Sequence, residues 1–228
     1  METTFLLKKE FKYIAFYDLD HTILTGNSAT SLVEEARQRG VMSPKQYRHA
    51  VYLSIIYKLN LGNPTKMINR MLSWLTGLRE EAVKKLCREV FMDDLVRTIR
   101  PEILESMSDH RARNGANILL SSATSPICEP VSDFLKMDDV ICTQLASENG
   151  ILTGKTDGKL VYGLEKKERL LSYCKTHGFE PSESYYYGDS FTDQYVMESV
   201  GKPVAVSPDR RLLKIVRMKN WPILVQDR

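Results

Sequence analysis

Two aspartates spaced by two positions, Asp18 and Asp20, stand in the segment YDLDHT and are the first candidates for chemistry. Two carboxylates at the end of a strand can face one crevice, where one attacks an electrophile and the other transfers protons. A carboxylate that attacks phosphorus forms an aspartyl phosphate, which divides one difficult displacement into two easier steps. A dianionic phosphate repels two aspartates, so this chemistry also requires a cation.

Further along the chain, other residues meet the remaining needs of phosphoryl transfer. Asp189 in GDSFTD offers the hard oxygen ligand that Mg²⁺ prefers. Lys166 adds fixed positive charge, and the hydroxyls of Thr22 and Ser122 can donate hydrogen bonds to phosphoryl oxygens. Each residue alone is a weak signal, because DxD and GDS are common in loops. Their order along the chain carries the prediction.

The elements that must position these residues are strands. Apolar runs at 12–17, 116–120 and 184–187 each end in small or acidic polar residues, as buried parallel strands do at a ligand site. Helical periodicity separates the strands, at 102–113, 126–136, 165–177 and 192–200. This alternation predicts an α/β fold with a doubly wound parallel sheet, in which ligands bind outside the carboxyl ends of the strands.

The segment 28–98 differs, because it has helical periodicity with breaks at Gly40, Gly62 and Gly77. We predict four helices here, forming a cap domain inserted after the first strand, with 1–27 and 99–228 as the core domain. The alternative is that these helices simply extend the core. A second local prediction concerns 150–163, where Asp157 and Gly158 favour the turn of a β-hairpin.

Composition excludes several classes of protein. The formal net charge of +3 over 228 residues is small and scattered, which gives no support to nucleic-acid binding. Charged residues interrupt the apolar N-terminus, which fits neither a signal peptide nor a membrane span, so we expect a cytoplasmic protein without membrane insertion. The four cysteines are far apart, which favours reduced buried thiols over a zinc or redox site. The histidines have no ligand spacing, and we expect no catalytic histidine.

Four motifs, YDLDHT, SSAT, GLEKKERL and GDSFTD, together resemble those of the haloacid dehalogenase (HAD) superfamily. The resemblance is to its subfamily IB, the group similar to phosphoserine phosphatase, and it covers nearly the whole chain. It implies a HAD-like, Rossmannoid core with a helical cap and Mg²⁺ as the cofactor.

The resemblance also implies a role for each matching residue. Asp18 would be the nucleophile and a metal ligand, and Asp20 would be the general acid and base that binds metal through its backbone carbonyl. Lys166 would neutralise charge, with Lys167 as the alternative lysine. The remaining residues would bind phosphate (Thr22, Ser122 and Ala123), bind metal (Asp189) or support the site (Asp193).

The expected function is a Mg²⁺-dependent phosphatase that hydrolyses a small organic phosphomonoester through an aspartyl phosphate. Phosphoserine is one possible substrate, but Asn27 stands where phosphoserine phosphatases have an amine-binding glutamate. Asp20 disfavours dehalogenation, since dehalogenases lack an acid there. The alternatives are a phosphotransferase with an alcohol acceptor and a non-catalytic phosphate-binding or regulatory module. The oligomeric state is left open, and the candidates for specificity are Arg37, Tyr47, Arg48, Tyr52, Tyr57 and Lys58.

Overall fold

A computed structural model describes residues 10–58 and 64–227. Seven strands form one sheet in the order β4-β3-β2-β1-β5-β6-β7. Neighbouring strands run parallel except for the β3–β4 pair, which is antiparallel. The predicted α/β fold with a doubly wound sheet is therefore confirmed, with one antiparallel strand added at an edge. The strands are β1 (Tyr13–Tyr17), β2 (Gly115–Thr124), β3 (Asp139–Glu148), β4 (Ile151–Asp157), β5 (Tyr185–Gly188), β6 (Lys202–Val206) and β7 (Ile223–Val225).

Helices cover both faces of the sheet, because alternate residues of the central strand are apolar on both sides. Ala15 and Tyr17 pack in a core shared with the helices at 101–112 and 125–135, whereas Ile14 and Phe16 pack in a core shared with the helices at 164–177 and 210–219. The helices are α1 (Ser28–Gln38), α2 (Pro44–Lys58), α3 (Pro64–Leu72), α4 (Glu80–Asp93), α5 (Pro101–Ala112), α6 (Ser125–Leu135), α7 (Leu164–His177), α8 (Gln194–Met197) and α9 (Arg210–Lys219).

The segment between β1 and β2 contains α1 to α4, so the prediction of four helices there is confirmed. Buried residues of α4 continue directly into the core on the α5–α6 face, where Phe91 meets Phe134 edge-on at 5.5 Å. The break predicted at Gly62 lies outside the described residues. The division of the chain into a core domain and a cap domain stays a prediction.

The two chain segments that lead into and out of these helices are hydrogen-bonded to each other. Leu24 and Ile99 form an isolated antiparallel bridge. The Thr25 N–H donates to the Thr98 carbonyl at 2.8 Å, and the Arg100 N–H donates to the Ile23 carbonyl at 2.9 Å. The helical segment is thus connected to the sheet through a two-stranded neck.

The predicted hairpin with its turn at Asp157 and Gly158 is wrong. The hairpin is formed by β3 and β4, and its turn is Asn149–Gly150, where both residues have positive φ of 51° and 76°. Positive φ at both central residues is the requirement of a type I′ turn, which Asn-Gly satisfies as readily as Asp-Gly. Asp157 instead ends β4.

Three of the four predicted core helices begin and end within one residue of the predicted bounds. The fourth, at 192–200, is shorter than predicted, because the chain forms a 3₁₀ turn at Phe191–Asp193 and then only one α-helical turn, α8. The 3₁₀ turn begins with a capping box between Ser190 and Asp193, which fixes the chain close to the sheet.

A cluster of tyrosines surrounds one buried histidine on the α5 side of the sheet. His110 is 1% exposed, and its Nδ1 and Nε2 lie 2.9 Å from the hydroxyls of Tyr13 and Tyr187. The Arg113 guanidinium lies 3.1 Å from Nδ1. Because a guanidinium can only donate, Nδ1 is the acceptor and Nε2–H donates to Tyr187. We call Tyr13, His110 and Tyr187 the tyrosine–histidine cluster.

All four cysteines are free and buried, which confirms the prediction of unpaired thiols. Within residues 10–58 and 64–227, no helix combines the length and the apolar character that crossing a membrane requires. Residues 1–9, which hold most of the predicted non-signal N-terminus, lie outside the described part of the chain. A cytoplasmic location stays a prediction.

Candidate active site

Asp18 follows β1 directly, and its N–H donates to the Tyr187 carbonyl of β5 at 3.0 Å. The next residues, Leu19–Ile23, form a wide helical turn that is broken where Asp20 and His21 adopt non-helical angles. The Ile23 N–H closes this turn onto the Asp18 carbonyl at 3.3 Å. Asp18 is therefore fixed by backbone contacts on both sides at the carboxyl edge of the sheet.

Lys166, the third residue of α7, directs its ammonium at two carboxylates. Its Nζ lies 2.8 Å from Asp18 Oδ1 and 2.9 Å from Asp193 Oδ1, and the side chain is 4% exposed. Lys167, the alternative considered from sequence, is only partly buried. The structure thus brings Lys166 to Asp18, across the gap between α7 and β1.

Asp193 accepts hydrogen bonds on both oxygens. Besides Lys166, its Oδ1 binds the Tyr186 hydroxyl at 2.7 Å, while its Oδ2 binds the Ser190 N–H at 3.1 Å and the Ser190 hydroxyl at 3.0 Å. Sequence patterns assign Tyr186 to strand packing, and that interpretation is incomplete because its hydroxyl belongs to this network. Its position in the strand could have indicated this, because side chains alternate and Tyr186 faces the opposite side of the sheet from Tyr185 and Tyr187.

Gly188 is required where Asp193 approaches the end of β5. A Cβ at this position would lie 2.6 Å from the Tyr186 ring and 3.0 Å from Asp193 Oδ2. Both distances are shorter than normal contacts, so a larger residue would push the carboxylate away. In GDSFTD, Gly188 therefore leaves room for the Asp193 carboxylate, and the next residue, Asp189, brings another carboxylate to the site.

Asp189 lies next to the Asp18 turn and is held from two directions. The Thr22 hydroxyl approaches its Oδ1 at 3.5 Å, and its carbonyl accepts from the Asp209 N–H at 2.8 Å. Asp209 also accepts from the Phe191 N–H at 2.7 Å while it caps α9. Asp209 is not among the residues predicted from sequence, although Ser-Pro-Asp before a helical pattern is a recognisable N-cap signal.

Asp18, Asp189 and Asp193 offer carboxylate oxygens that all lie within 4.8 Å of one another. Together with Lys166 they form what we call the acid–lysine cluster, with three carboxylates and one ammonium. Burial raises the pKa of Asp18 to about 6, against the effect of Lys166 and with a further contribution from Asp193. Burial alone would lower the pKa of Lys166, but Asp18 and Asp193 outweigh it and raise that pKa. The cluster has surplus negative charge.

This donor set fits a divalent cation. Asp18 and Asp189 offer hard carboxylate oxygens at close range, the typical ligands of Mg²⁺, which keeps its remaining positions for water and substrate phosphate, whereas both oxygens of Asp193 are already hydrogen-bonded. A cation would also relieve the charge surplus that Lys166 leaves uncompensated.

The Asp20 side chain bonds to the start of α1 rather than to the acid–lysine cluster. Its Oδ1 accepts from the Ser28 N–H at 2.7 Å, and its Oδ2 accepts from the Asn27 side-chain amide at 3.1 Å. Burial raises the pKa of Asp20, while hydrogen bonding by Ser28 opposes this shift. A carboxyl group with a raised pKa is suited to exchange protons.

Ser122 and Ala123 lie near the end of β2, beyond the level at which Tyr17 pairs with Leu119. This places them at the same sheet edge as Asp18. The Ala123 N–H donates to the Ser121 hydroxyl at 3.1 Å. The Ser122 carbonyl accepts from Thr143, which fixes the local strand.

The specificity candidates lie on α1 and α2. The Arg37 guanidinium stacks over the Tyr47 ring at 4.7 Å from its centroid. Arg48 and Tyr52 are exposed. The side chains of Tyr57 and Lys58 lie outside the described part of the structure.

Comparison with known proteins shows the class. The model of the haloacid dehalogenase-like hydrolase family matches residues 15–198, and the chain belongs to this family. It is 28% identical over 215 residues to an "inhibition of morphological differentiation protein" of Streptomyces azureus, which covers 92% of this chain and 77% of that one.

Two further likenesses are to phosphatases. A histidinol-phosphatase of Neisseria meningitidis serogroup C is 25% identical over 233 residues, covering 93% of this chain and 98% of that one. A phosphoserine phosphatase solved as a phospho-aspartyl intermediate analogue has the same fold, with a TM-score of 0.70, 18% identity and coverage of 96% and 94%. The predicted resemblance and enzyme class are confirmed, and the protein is a phosphoric monoester hydrolase of the HAD type.

Proposed function

We propose that this protein is a Mg²⁺-dependent phosphatase that hydrolyses a small organic phosphomonoester through an aspartyl phosphate on Asp18. The observation that carries the proposal is the Lys166 ammonium, 2.8 Å from Asp18 and 2.9 Å from Asp193, within a cluster of three buried carboxylates. A cluster with this charge surplus is costly to bury without a function. Phosphoryl transfer uses every part of it.

In the proposed first step, Asp18 attacks the phosphorus atom of the ester. Lys166 engages Oδ1, and we assign the attack to Oδ2. The Oδ2–P bond forms as the P–O bond to the alcohol breaks. Asp20 donates its proton to the departing oxygen, so that the alcohol leaves neutral and an aspartyl phosphate remains.

In the second step, water attacks the same phosphorus atom. Asp20 accepts a proton from this water, the P–Oδ2 bond breaks, and inorganic phosphate is released with Asp18 restored as a carboxylate. The raised pKa of Asp20 supports this role, because an acid that must regain its proton works best with a pKa nearer the working pH.

Mg²⁺ would be held by Asp18 and Asp189, with the Asp20 carbonyl as a third ligand. When bound, it supplies charge neutralisation between the carboxylates and the phosphate. Thr22, Ser122 and the Ala123 amide would bind phosphoryl oxygens, which requires the Ala123 N–H to leave the Ser121 hydroxyl. Asp193 would hold the Lys166 ammonium in place.

The proposed substrates are small phosphorylated metabolites. The names of the relatives, histidinol-phosphatase and phosphoserine phosphatase, both describe monoesters of amino alcohols. Asn27 brings no charge to pair with an ammonium, which weakens phosphoserine and equally any other amine-bearing ester as the substrate. Selection among esters is assigned to α1 and α2, with Arg37 and Tyr47 as the first residues to vary.

The test is phosphate release from a panel of phosphomonoesters, measured with Mg²⁺ and with a chelator. We expect turnover that depends on Mg²⁺ and differs between esters. Addition of an alcohol acceptor with product analysis separates hydrolysis from transfer, because a phosphotransferase would form a new ester at the expense of phosphate. Binding of phosphate with no turnover of any ester would overturn the proposal in favour of a binding module.

A further inference from the structure

We infer that Asn27 is a positioning residue for Asp20, through which the first turn of α1 sets the direction of the acid that protonates the leaving group. The inference rests on the proposed function, because it assigns Asp20 the role of acid. It gives the side chain at position 27 a task within the enzyme rather than in recognition of the substrate.

The amide of Asn27 can point only one way. Its Oδ1 accepts from the Thr30 N–H at 3.0 Å and from the Thr30 hydroxyl at 3.1 Å, as expected of the N-cap residue of α1. A backbone N–H can only donate, so the oxygen of the amide must face Thr30. The NH₂ group is therefore left to face Asp20, and its Nδ2 lies 3.1 Å from Asp20 Oδ2.

The second oxygen of Asp20 is held by the same helix. Asp20 Oδ1 accepts from the N–H of Ser28, the first residue of α1, at 2.7 Å. The carboxylate thus lies at the N-terminus of α1, where helix N–H groups favour a negative charge. The two contacts bind different oxygens, so together they restrain the orientation of the carboxylate.

Removal of the Asn27 contact should change the direction in which the Asp20 carboxyl group points, while leaving that group in place. With Ser28 alone, the carboxylate of Asp20 can rotate about its remaining hydrogen bond, and a displacement of about 1 Å is enough to weaken proton transfer. Asn27 is exposed, so loss of its amide should leave the packing of the protein unchanged. Proton donation to the leaving alcohol is the step that should suffer.

The experiment compares two esters that differ in their need for an acid. p-Nitrophenyl phosphate releases a stable anion without a proton, whereas an alkyl phosphate such as 2-phenylethyl phosphate requires protonation of the alkoxide. The variant is Asn27→Asp, which is isosteric and keeps the N-cap but replaces the donor that faces Asp20 by an acceptor. We expect kcat/KM for the alkyl ester to fall about tenfold, with less than about a twofold change for the aryl ester.

Two matched variants separate the causes. Asn27→Ser keeps a neutral N-cap acceptor but shortens the side chain, so it should show the same selective loss without an added charge. Thr30→Val removes the hydroxyl that helps to orient the amide and leaves the Thr30 N–H, so its effect should be smaller. Melting temperatures of all variants should stay close to that of the wild type.

The outcomes distinguish the inference from the function on which it rests. An equal loss on both esters, or no loss on either, would overturn the positioning role of Asn27. Asp20→Ala is the reference, and it should lose at least about a hundredfold on the alkyl ester. If Asp20→Ala shows no preference between esters, the role of Asp20 as acid fails instead.

Discussion

The acid–lysine cluster and the tyrosine–histidine cluster are both buried and polar, but they differ in charge. In the first, three carboxylates share one ammonium, and the pKa of Asp18 is raised to about 6. In the second, burial lowers the pKa of His110 to about 4, so that a neutral imidazole lies between two phenols. The acid–lysine cluster has surplus charge, whereas the rings of the tyrosine–histidine cluster are neutral and are hydrogen-bonded to each other.

The difference in charge between the two clusters indicates which one contributes to stability and which one suits a function. Both ring nitrogens of His110 have a hydroxyl partner in the tyrosine–histidine cluster, and a satisfied buried network stabilises a single packing. The acid–lysine cluster would be more stable with fewer carboxylates, and its composition fits the chemistry that we propose for it. Tyr187 connects the two, since its hydroxyl bonds His110 while its carbonyl accepts from the Asp18 N–H.

The largest effect should come from Asp18→Asn. This change keeps the shape of the side chain but removes the nucleophile, and kcat should fall by at least about a thousandfold. Because the pKa of Asp18 is raised, its ionised form is disfavoured in the fold, and the variant without metal should melt no lower than the wild type. Acid quench with intact-protein mass spectrometry should detect a phosphorylated wild type and no adduct in the variant.

Asp133→Asn is the control, because Asp133 is an exposed carboxylate on α6. It should keep full activity. Normal turnover by Asp18→Asn would contradict the assignment of Asp18 as the nucleophile. It would also remove the functional contrast between the two clusters.

The next effect concerns pH and the tyrosine–histidine cluster. The pKa of His110 is about 4 in the fold and about 6.5 in the unfolded chain, so only the unfolded chain gains a proton between these values. The stabilisation is present above pH ~6.5 and is lost as pH falls towards 4, by up to about 3 kcal/mol. The raised pKa of Asp18 acts in the opposite direction over this range, so urea unfolding at pH 7 and at pH 4.5 should measure the loss as a difference between the wild type and His110→Gln.

His110→Gln should reduce the pH dependence, because it removes the titrating group while keeping a donor and an acceptor. The exposed His49, changed in the same way, should leave the pH dependence as in the wild type. If His110→Gln and the wild type lose the same free energy of unfolding between the two pH values, the cluster is not the source.

The smallest effect should come from Tyr186→Phe, which removes the hydroxyl 2.7 Å from Asp193 Oδ1. Lys166 remains bound to the same oxygen, so we expect kcat to fall only about three- to tenfold, roughly 1 kcal/mol. Tyr185→Phe is the matched control on the opposite face of β5, where the hydroxyl contacts Arg113. Steady-state kinetics should show no change for this control, and equal effects of both variants would contradict a role of Tyr186 in the acid–lysine cluster.

The sequence predicted those parts of the fold whose signals are local. The strand ends at Asp18 and Asp189 and the start of α7 near Lys166 follow from short apolar and helical patterns. The hairpin was misplaced because Asn-Gly at 149–150 and Asp-Gly at 157–158 give the same local signal, and only strand pairing decides between them.

The contacts that sequence patterns missed are close in sequence but depend on irregular turns of the backbone. The Tyr186 hydroxyl and the Asp209 carboxylate both bind the 3₁₀ turn Phe191–Asp193, and no catalytic spacing in the sequence marks either residue. The bonds of Asp20 to Asn27 and Ser28 required the unusual turn after β1, in which His21 has a φ of 59°. Such a backbone conformation has no reliable signature in a single sequence.

The two-stranded neck at Leu24 and Ile99 has a consequence for how such enzymes diversify. The pairing of β1 with β2 is set by its own register, from Tyr13 with Gly115 to Tyr17 with Leu119, and does not include the neck. An insertion of another length or architecture can therefore enter at this point during evolution, while β1 and β2 keep their alignment. Under the proposed function, substrate range and reaction chemistry could therefore change independently of each other.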